Sequence, residues 1–296
     1  MSYLKFEKSE LINLEYSLKR EMIRSNRAGS YASTTIIGCN TRKYHGLLVC
    51  PLEQMDGEHH VLLSSLDATV IQHEKEFNLG IHKYEGDNYV PKGHKYVRDF
   101  DATKGSYLIY RIGGVVLARE MLLVSKAEQV LLRYTLLEAQ SPTRLRLTPF
   151  LAFRNFHALS KSNLYVNTRY SEVPNGIMSR LYDGYPGLYM QLSKQAEFIP
   201  VPEWYYNVEY MEELKRGYEY KEDLYVPGYF ELSIKKGESI VFSASTSESA
   251  PSGLKRRFTS ELNTRIPRDS YKSCLLNAAE QFFVYKKGST EIKAGF

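Results

Sequence analysis

Cysteine is scarce in this sequence, with 3 residues in a chain of 296. An odd, low count argues against a disulfide framework and fits a reducing compartment, so a cytoplasmic protein is expected. Long apolar runs are missing too. No stretch approaches the roughly 18 residues that a membrane helix needs. Met1 to Glu10 contain no apolar segment of the kind a secretory leader carries. No membrane partner is therefore expected. Internal repeats and low-complexity segments are absent. Hydrophobic residues at 43% and charged residues at 25% match ordinary globular usage, which sets aside disordered and collagen-like classes. Neither sign of charge dominates: 39 Lys+Arg stand against 34 Asp+Glu, and the positive residues are scattered. The basic stretch Lys255-Arg256-Arg257 is short, and no RNP-type or zinc-finger motif accompanies it, so no nucleic-acid partner is expected.

Glycine is also low for a residue normally among the commonest; its 19 copies are outnumbered by 24 tyrosines. Tyrosine supplies flat apolar faces with a polar tip, useful in sheets and on binding surfaces. The hydrophobic rhythm is mostly of period two. Residues 106–112 and 115–124 flank Gly113-Gly114 as a hairpin. Residues 129–137 and 144–153 follow as strands, the latter with Arg144, Arg146 and Thr148 on one face and Leu145 and Leu147 on the other. Residues 176–182 and 187–193 flank Asp183-Gly184-Tyr185-Pro186, and 229–235 and 239–245 flank Lys236-Gly237-Glu238. The pattern predicts a mostly β protein, a large antiparallel β-sandwich or barrel, and not alternating βαβ units. Pro200 to Gly228 lack alternation and read as a long ordered loop with a short helical turn near Glu209–Arg216. Near the end, Leu275, Ala278, Ala279 and Phe282 recur at helical spacing, predicting a helix over 270–286 capped by Asp269 or Ser270.

Two segments carry candidate chemistry. The first runs through Asn40-Thr41-Arg42-Lys43-Tyr44-His45-Gly46 between two apolar strands. It is either a polar turn satisfying buried backbone groups or a hydrogen-bonding patch beside an aromatic face. Gly29, Gly38 and Gly46 do not form a nucleotide-binding turn, and no nucleotide or other cofactor is expected. Cys39 with His45 lacks a nucleophile motif. His59 and His60 are adjacent on a strand and point to opposite faces, so no metal site is expected. The second segment gathers Trp204, the single tryptophan, with Tyr205, Tyr206, Tyr210, Tyr218, Tyr220 and Tyr225, interleaved with Glu203, Glu209, Glu212, Glu213, Arg216, Glu222 and Asp223. Aromatic faces with carboxylates and an arginine suit sugar recognition, where a pyranose CH face stacks on a ring and hydroxyls take polar partners. The acidity of this segment repels phosphate. A glycosidase needs two carboxyls across a cleft. Glu222 and Asp223 are merely neighbours, Asp99 and Asp101 merely i, i+2, so no catalytic residue is nominated.

These segments resemble the N-terminal domain of bacterial and archaeal-type glycogen debranching enzymes. The resemblance rests on Gly29-x-Tyr31-Ala32-Ser33, on Asn40 through Val49, and on Leu63 to Asp67. It continues through Trp204-Tyr205, Tyr210, Arg216-Gly217-Tyr218, Glu222-Asp223-Leu224 and Pro227-Gly228, and ends at Ala278-Ala279-x-Gln281-Phe282. It covers nearly the whole chain. Met22 departs from it where the family often has tryptophan, and Ser30 where the family has glycine. The resemblance implies a supersandwich-like β-sandwich over residues 1–252. Residues 253–296 would form a linker and connecting helix leading to a catalytic (α/α) toroid that lies outside this sequence, beyond Ala294 and Phe296. The full-length enzyme removes α-1,6 branches of glycogen as an amylo-α-1,6-glucosidase and transfers short α-1,4 segments, whereas this region alone is expected to be inactive. Its expected partners are glycogen or a related α-glucan and the enzyme's own catalytic domain. Trp204, Tyr205 and Tyr210 are expected to stack on glucose, and Arg216, Glu222 and Asp223 to bond hydroxyls or brace the loop. Arg42, Tyr44 and His45 are expected to contact glucan or the toroid. The competing expectations are a purely structural docking domain without glycan affinity and a complete carbohydrate-active enzyme of another class.

Overall fold

The computed structural model describes residues 4–286, 288–293 and 295. Ala294 and Phe296, where the passage to a further domain is expected, lie outside the described residues. The architecture is the expected antiparallel sandwich. Among the described residues, nine strands form one sheet in the order Lys5–Glu7, Val97–Asp101, Ser106–Ile112, Val115–Leu123, Gln129–Glu138, Ser239–Ser245, Leu188–Leu192, Gly176–Ser179 and Tyr170–Val173. Ten strands form the other, whose main path runs Glu197–Ile199, Tyr229–Ile234, Thr143–Asn155, His59–Gln72, Gly46–Pro51, Tyr31–Thr35 and Glu21–Ser25. The hairpins across Gly113-Gly114 and Asp183-Gly184-Tyr185-Pro186 are there, whereas Lys236-Gly237-Glu238 carries the chain from one sheet to the other, Tyr229–Ile234 pairing in the ten-stranded sheet and Ser239–Ser245 in the nine-stranded one.

The core fills the space between the sheets. In Thr143–Asn155, Leu145 and Leu147 are completely buried while Arg144 and Arg146 point outward to Glu231. This is the two-sided pattern the sequence shows. From the facing sheet Leu117, Leu132 and Tyr134 join the same apolar cluster. The two longest strands, His59–Gln72 and Thr143–Asn155, run antiparallel from Arg144 opposite Ile71 to Asn155 opposite His60. Their register breaks between Leu151 and Arg154, and within that break Phe153 takes φ 48. Positive φ is uncommon for a bulky residue. Arg154 follows directly, and its guanidinium organises the region described below.

Two stretches differ from expectation. The 200–228 segment is not a loop. It forms the strands Glu203–Glu209 and Lys221–Val226, paired with each other, around the helix Met211–Lys215. Its alternation is hidden by a bulge between Tyr205 and Val208, where Asn207 sits at φ 56, and by acids buried where apolar residues would normally mark a strand. At the other end, the expected helix over 270–286 is shorter, Tyr271–Glu280, with Ser270 capping it by accepting from the Ser273 N–H. Phe283–Lys286 is instead a strand paired with Ser289–Ile292. A further helix, Leu254–Asn263, was hidden by its basic first turn. Leu254, Phe258 and Leu262 lie on one face and pack on Leu122, Leu131 and Val241, the outer face of the nine-stranded sheet.

The apolar stripe of the last helix does not meet the sandwich. Leu275 is 53% and Leu276 49% exposed, while the buried residue of that helix is Asn277, held by Arg268. Phe258 and Leu275 therefore differ sharply in what they contribute. Phe258→Ala should cost about 3–5 kcal/mol in urea unfolding, whereas Leu275→Ala should change stability by less than about 0.5 kcal/mol.

Candidate functional site

The turn Asn40–Gly46 joins the strands Tyr31–Thr35 and Gly46–Pro51, and every part of it is tied down. At its start the Asn40 amide accepts from Thr34 Oγ1 at 2.8 Å and donates to the Ser64 carbonyl at 3.1 Å. At its end, a methyl added to Gly46 would fall 2.9 Å from Val49 and Val61, so the close return of the chain there requires glycine. In the middle, the Lys43 N–H donates to Glu213 Oε2 at 3.0 Å and the Lys43 carbonyl accepts from Arg154 Nη2 at 2.7 Å. The Thr41 carbonyl accepts from the Glu212 N–H at 3.0 Å. Tyr31 donates its hydroxyl to the Tyr44 carbonyl at 2.9 Å. The helix Met211–Lys215 is thus clamped onto the turn, which brings Arg216 beside it.

Below the turn lies a buried ion pair. Arg154 and Glu222 have side chains 5% and 0% exposed. Arg154 Nε donates to Glu222 Oε1, and Nη2 reaches Oε2 at 3.1 Å. Tyr210 donates its hydroxyl to Glu222 Oε2, and the Ser160 N–H and hydroxyl both donate to Oε1 at 3.0 Å. Burial and the neighbouring Glu222 charge push the Tyr210 hydroxyl well above its ordinary pKa. Every lone pair of the buried carboxylate is thus answered, as burial of a charge demands.

Above the turn is an open cleft of about 440 Å³ whose lining includes Glu21, Met22, Tyr31, Arg42, Tyr44, His45 and Arg216. Arg42 Nε donates to Glu21 Oε1 at 2.7 Å. His45 is 1% exposed. Its Nδ1 accepts from the Thr41 N–H at 3.1 Å, which places the proton of the neutral ring on Nε2. Nε2 is buried without a hydrogen-bond partner, 3.9 Å from Glu21 Oε1. Burial raises the Glu21 pKa, but the His45 imidazole and the Arg42 guanidinium outweigh it and bring the carboxyl down to about 2. Arg216 donates Nη2 to the buried Glu213 at 2.6 Å, which fixes its guanidinium at the rim.

Four of the expected residues, Arg42, Tyr44, His45 and Arg216, therefore line one cleft. The others do not. Trp204 is half-buried and packs edge-on against Tyr225 with the ring centroids 5.3 Å apart, and Tyr205 is half-buried with its ring centroid 4.8 Å from that of Phe150. Tyr210 is 0% exposed. Its ring offers no face to a ligand, so the stacking role expected for it does not fit its position. Glu222 holds Arg154, and Asp223 accepts from the backbone N–H groups of Asn207 and Ser162. Both acids brace the strands. Glu21 and Tyr31 were missed as lining residues, because an isolated glutamate at the start of a strand and a strand tyrosine carry no pattern of their own. The buried thiols are inert: Cys39 and Cys50 are free, and burial pushes Cys39 up to about 12. His59 and His60 diverge as alternation requires, one to the Gly29 carbonyl and the other to Tyr185 and Asp56.

Residues 20–241 match the family model described as glycogen debranching enzyme N terminal. Among solved structures, the chain is similar to a bacterial glucoamylase complexed with acarbose, at 7% identity and TM-score 0.38, covering 88% of this chain and 36% of that one. It is also similar to a polysaccharide lyase, at 9% identity and TM-score 0.30, covering 77% of this chain and 33% of that one. The chain spans about a third of the length of these structures. No curated protein matches it.

Glu222→Gln leaves Arg154 buried without its counter-charge and should cost about 3–5 kcal/mol in urea unfolding. Glu21 yields a pH prediction. Its folded pKa of about 2 lies below the ordinary 4.5, so its contribution to stability is complete above the ordinary value and is lost as pH falls towards 2. The difference in melting temperature between the native chain and Glu21→Gln should accordingly shrink across that window.

Proposed function

As the chain belongs to the glycogen debranching enzyme N-terminal family, we propose that it is the α-glucan-binding and catalytic-domain-supporting region of such an enzyme, with the glucan held in the cleft above Asn40–Gly46. The observation that carries this reading is the buried His45 Nε2 beside that cleft, which makes no hydrogen bond and faces Glu21 Oε1 at 3.9 Å. A buried donor left without a partner is costly, and a sugar hydroxyl supplies the missing acceptor. Glucose hydroxyls both donate and accept. Glu21 is the acceptor of the cleft, Arg42, His45 and Arg216 are its donors, and Tyr44 and Met22 give it apolar surface. Trp204, Tyr205, Tyr210, Glu222 and Asp223 act from behind, bracing the strands and the turn.

Glu21 is the only carboxylate among the described residues that line the cleft. Hydrolysis of a glycoside calls for two across the bond. The chain by itself therefore positions glucan, and removal of α-1,6 branches belongs to a catalytic (α/α) toroid following residues 253–296. Residues 1–252 form the sandwich in this division, and 253–296 the connection. The exposed Leu275 and Leu276 support the second half of the reading: an apolar helix face turned away from the sandwich is suited to receive a catalytic domain. Glycogen and that domain are the partners, and the cytoplasm, where glycogen and reduced thiols coexist, is the setting.

Affinity electrophoresis in glycogen-containing gel tests the binding half. The native chain should be retarded, and Arg42→Ala should lose about tenfold in affinity or more, as expected for a hydrogen-bonding cation removed from its ligand. Equal mobility of the native chain with and without glycogen would leave only the docking role.

A further inference from the structure

A second hollow adjoins the cleft on the far side of Tyr44. It has a volume of about 470 Å³, and Tyr44, Glu58, His59, Phe156, His157 and Lys293 line it. Tyr44 is the wall common to both hollows. Each hollow falls within the size range of small-molecule sites.

The second hollow is aromatic where the first is polar. The Phe156 and His157 rings lie 4.1 Å apart between centroids, tilted by 46°. Tyr44 meets both edge-on, at 5.4 Å from Phe156 and 5.6 Å from His157. His59 closes the group, 5.3 Å from Phe156. Core packing explains only part of this cluster: Phe156 rests against the buried residues around Val49 and Phe150, but the His157 side chain is 60% exposed and Tyr44 is only half-buried. The rings are nonetheless fixed. Tyr44 and His157 share a hydrogen bond of 3.2 Å between the hydroxyl and Nδ1, the His157 N–H donates to Asn155 at 2.8 Å, and Lys43 Nζ donates to the His157 carbonyl at 2.7 Å. A group of rigid, partly exposed rings binds flat apolar surface at little entropic cost. The rim carries both signs, Glu58 and Lys293, which favours a neutral hydroxylated ligand over an anion or a cation.

We propose that the hollow at Tyr44, Phe156 and His157 is a second glucose subsite, so that one α-1,4-linked chain crosses Tyr44 from the polar cleft onto the aromatic platform. This rests on the reading of the first cleft as a glucan site and adds a second, independent contact to it. The aromatic platform expected around Trp204 is thereby relocated, since Trp204 packs edge-on against Tyr225 over the core while this ring group includes the largely exposed His157. Binding at two subsites makes affinity depend on chain length: a short saccharide fills one hollow, a longer one both.

Isothermal titration of the intact chain with maltose and with maltoheptaose tests the proposal. The native chain should bind the heptasaccharide about tenfold more tightly, the worth of one added ring contact. That ratio should fall towards one in both His157→Ala and Phe156→Ala. His157 is largely exposed, so its variant remains a valid test even if Phe156→Ala unfolds, which circular dichroism would report. Equal affinity of the native chain for the two saccharides, or a ratio that survives in His157→Ala, would overturn the second subsite while leaving the first. Absence of binding to either saccharide would instead overturn the glucan reading of the first cleft, and the second subsite with it.

Discussion

The buried pair of Arg154 and Glu222 is the interaction on which the rest of the site depends. It joins the strand Thr143–Asn155, at the centre of its sheet, to Lys221–Val226 at the side. From the same guanidinium a bond runs up to the Lys43 carbonyl, so one side chain ties the sheet to the turn. A buried pair gives little net stability against an apolar alternative. Its worth here is positional. A charged group buried with all its bonds made has one geometry available, and the turn above inherits it.

The cleft follows from that constraint. With Lys43 held by Arg154 below and by Glu213 at the side, the residues on either end of it, Arg42 and Tyr44, project outward, and His45 turns inward against Thr41. Glu21 arrives from the neighbouring edge strand and meets Arg42. The result is a set of donors and one acceptor whose positions are set before any ligand arrives, the condition under which polar groups select a ligand without a large ordering cost. The left-handed Phe153 sits one residue before Arg154, where a regular strand would have turned that side chain to the other face.

Much of the fold was legible in the sequence because the two sheets obey simple alternation. Arg144 to Leu147 read out-in-out-in and fold that way, and the glycine-marked turns at 113–114 and 183–186 join strands that pair as hairpins. The segment around Trp204 was not legible as strands, because its bulge and its buried Glu209, Glu222 and Asp223 contradict the period-two rule locally. The helix Leu254–Asn263 was overlooked for a related reason: three basic residues separate Leu254 from Phe258 and suggest solvent, although the spacing is helical. Of the site, Arg42, Tyr44 and His45 were visible as a dense polar stretch between apolar strands. That Arg216 joins them, and that Tyr210, Glu222 and Asp223 do not, is decided by contacts across more than a hundred residues, such as Glu213 with Lys43, which no local pattern records.

The claim at the centre is that the surface organised by Asn40–Gly46 receives an α-glucan. A crystal structure of the chain grown with maltoheptaose addresses it directly. Glucose units should occupy the cleft beside Arg42 and Tyr44, with one hydroxyl within hydrogen-bond distance of His45 Nε2 and the chain running on towards Phe156. Saccharide bound around Trp204 instead, with the cleft empty, would contradict it.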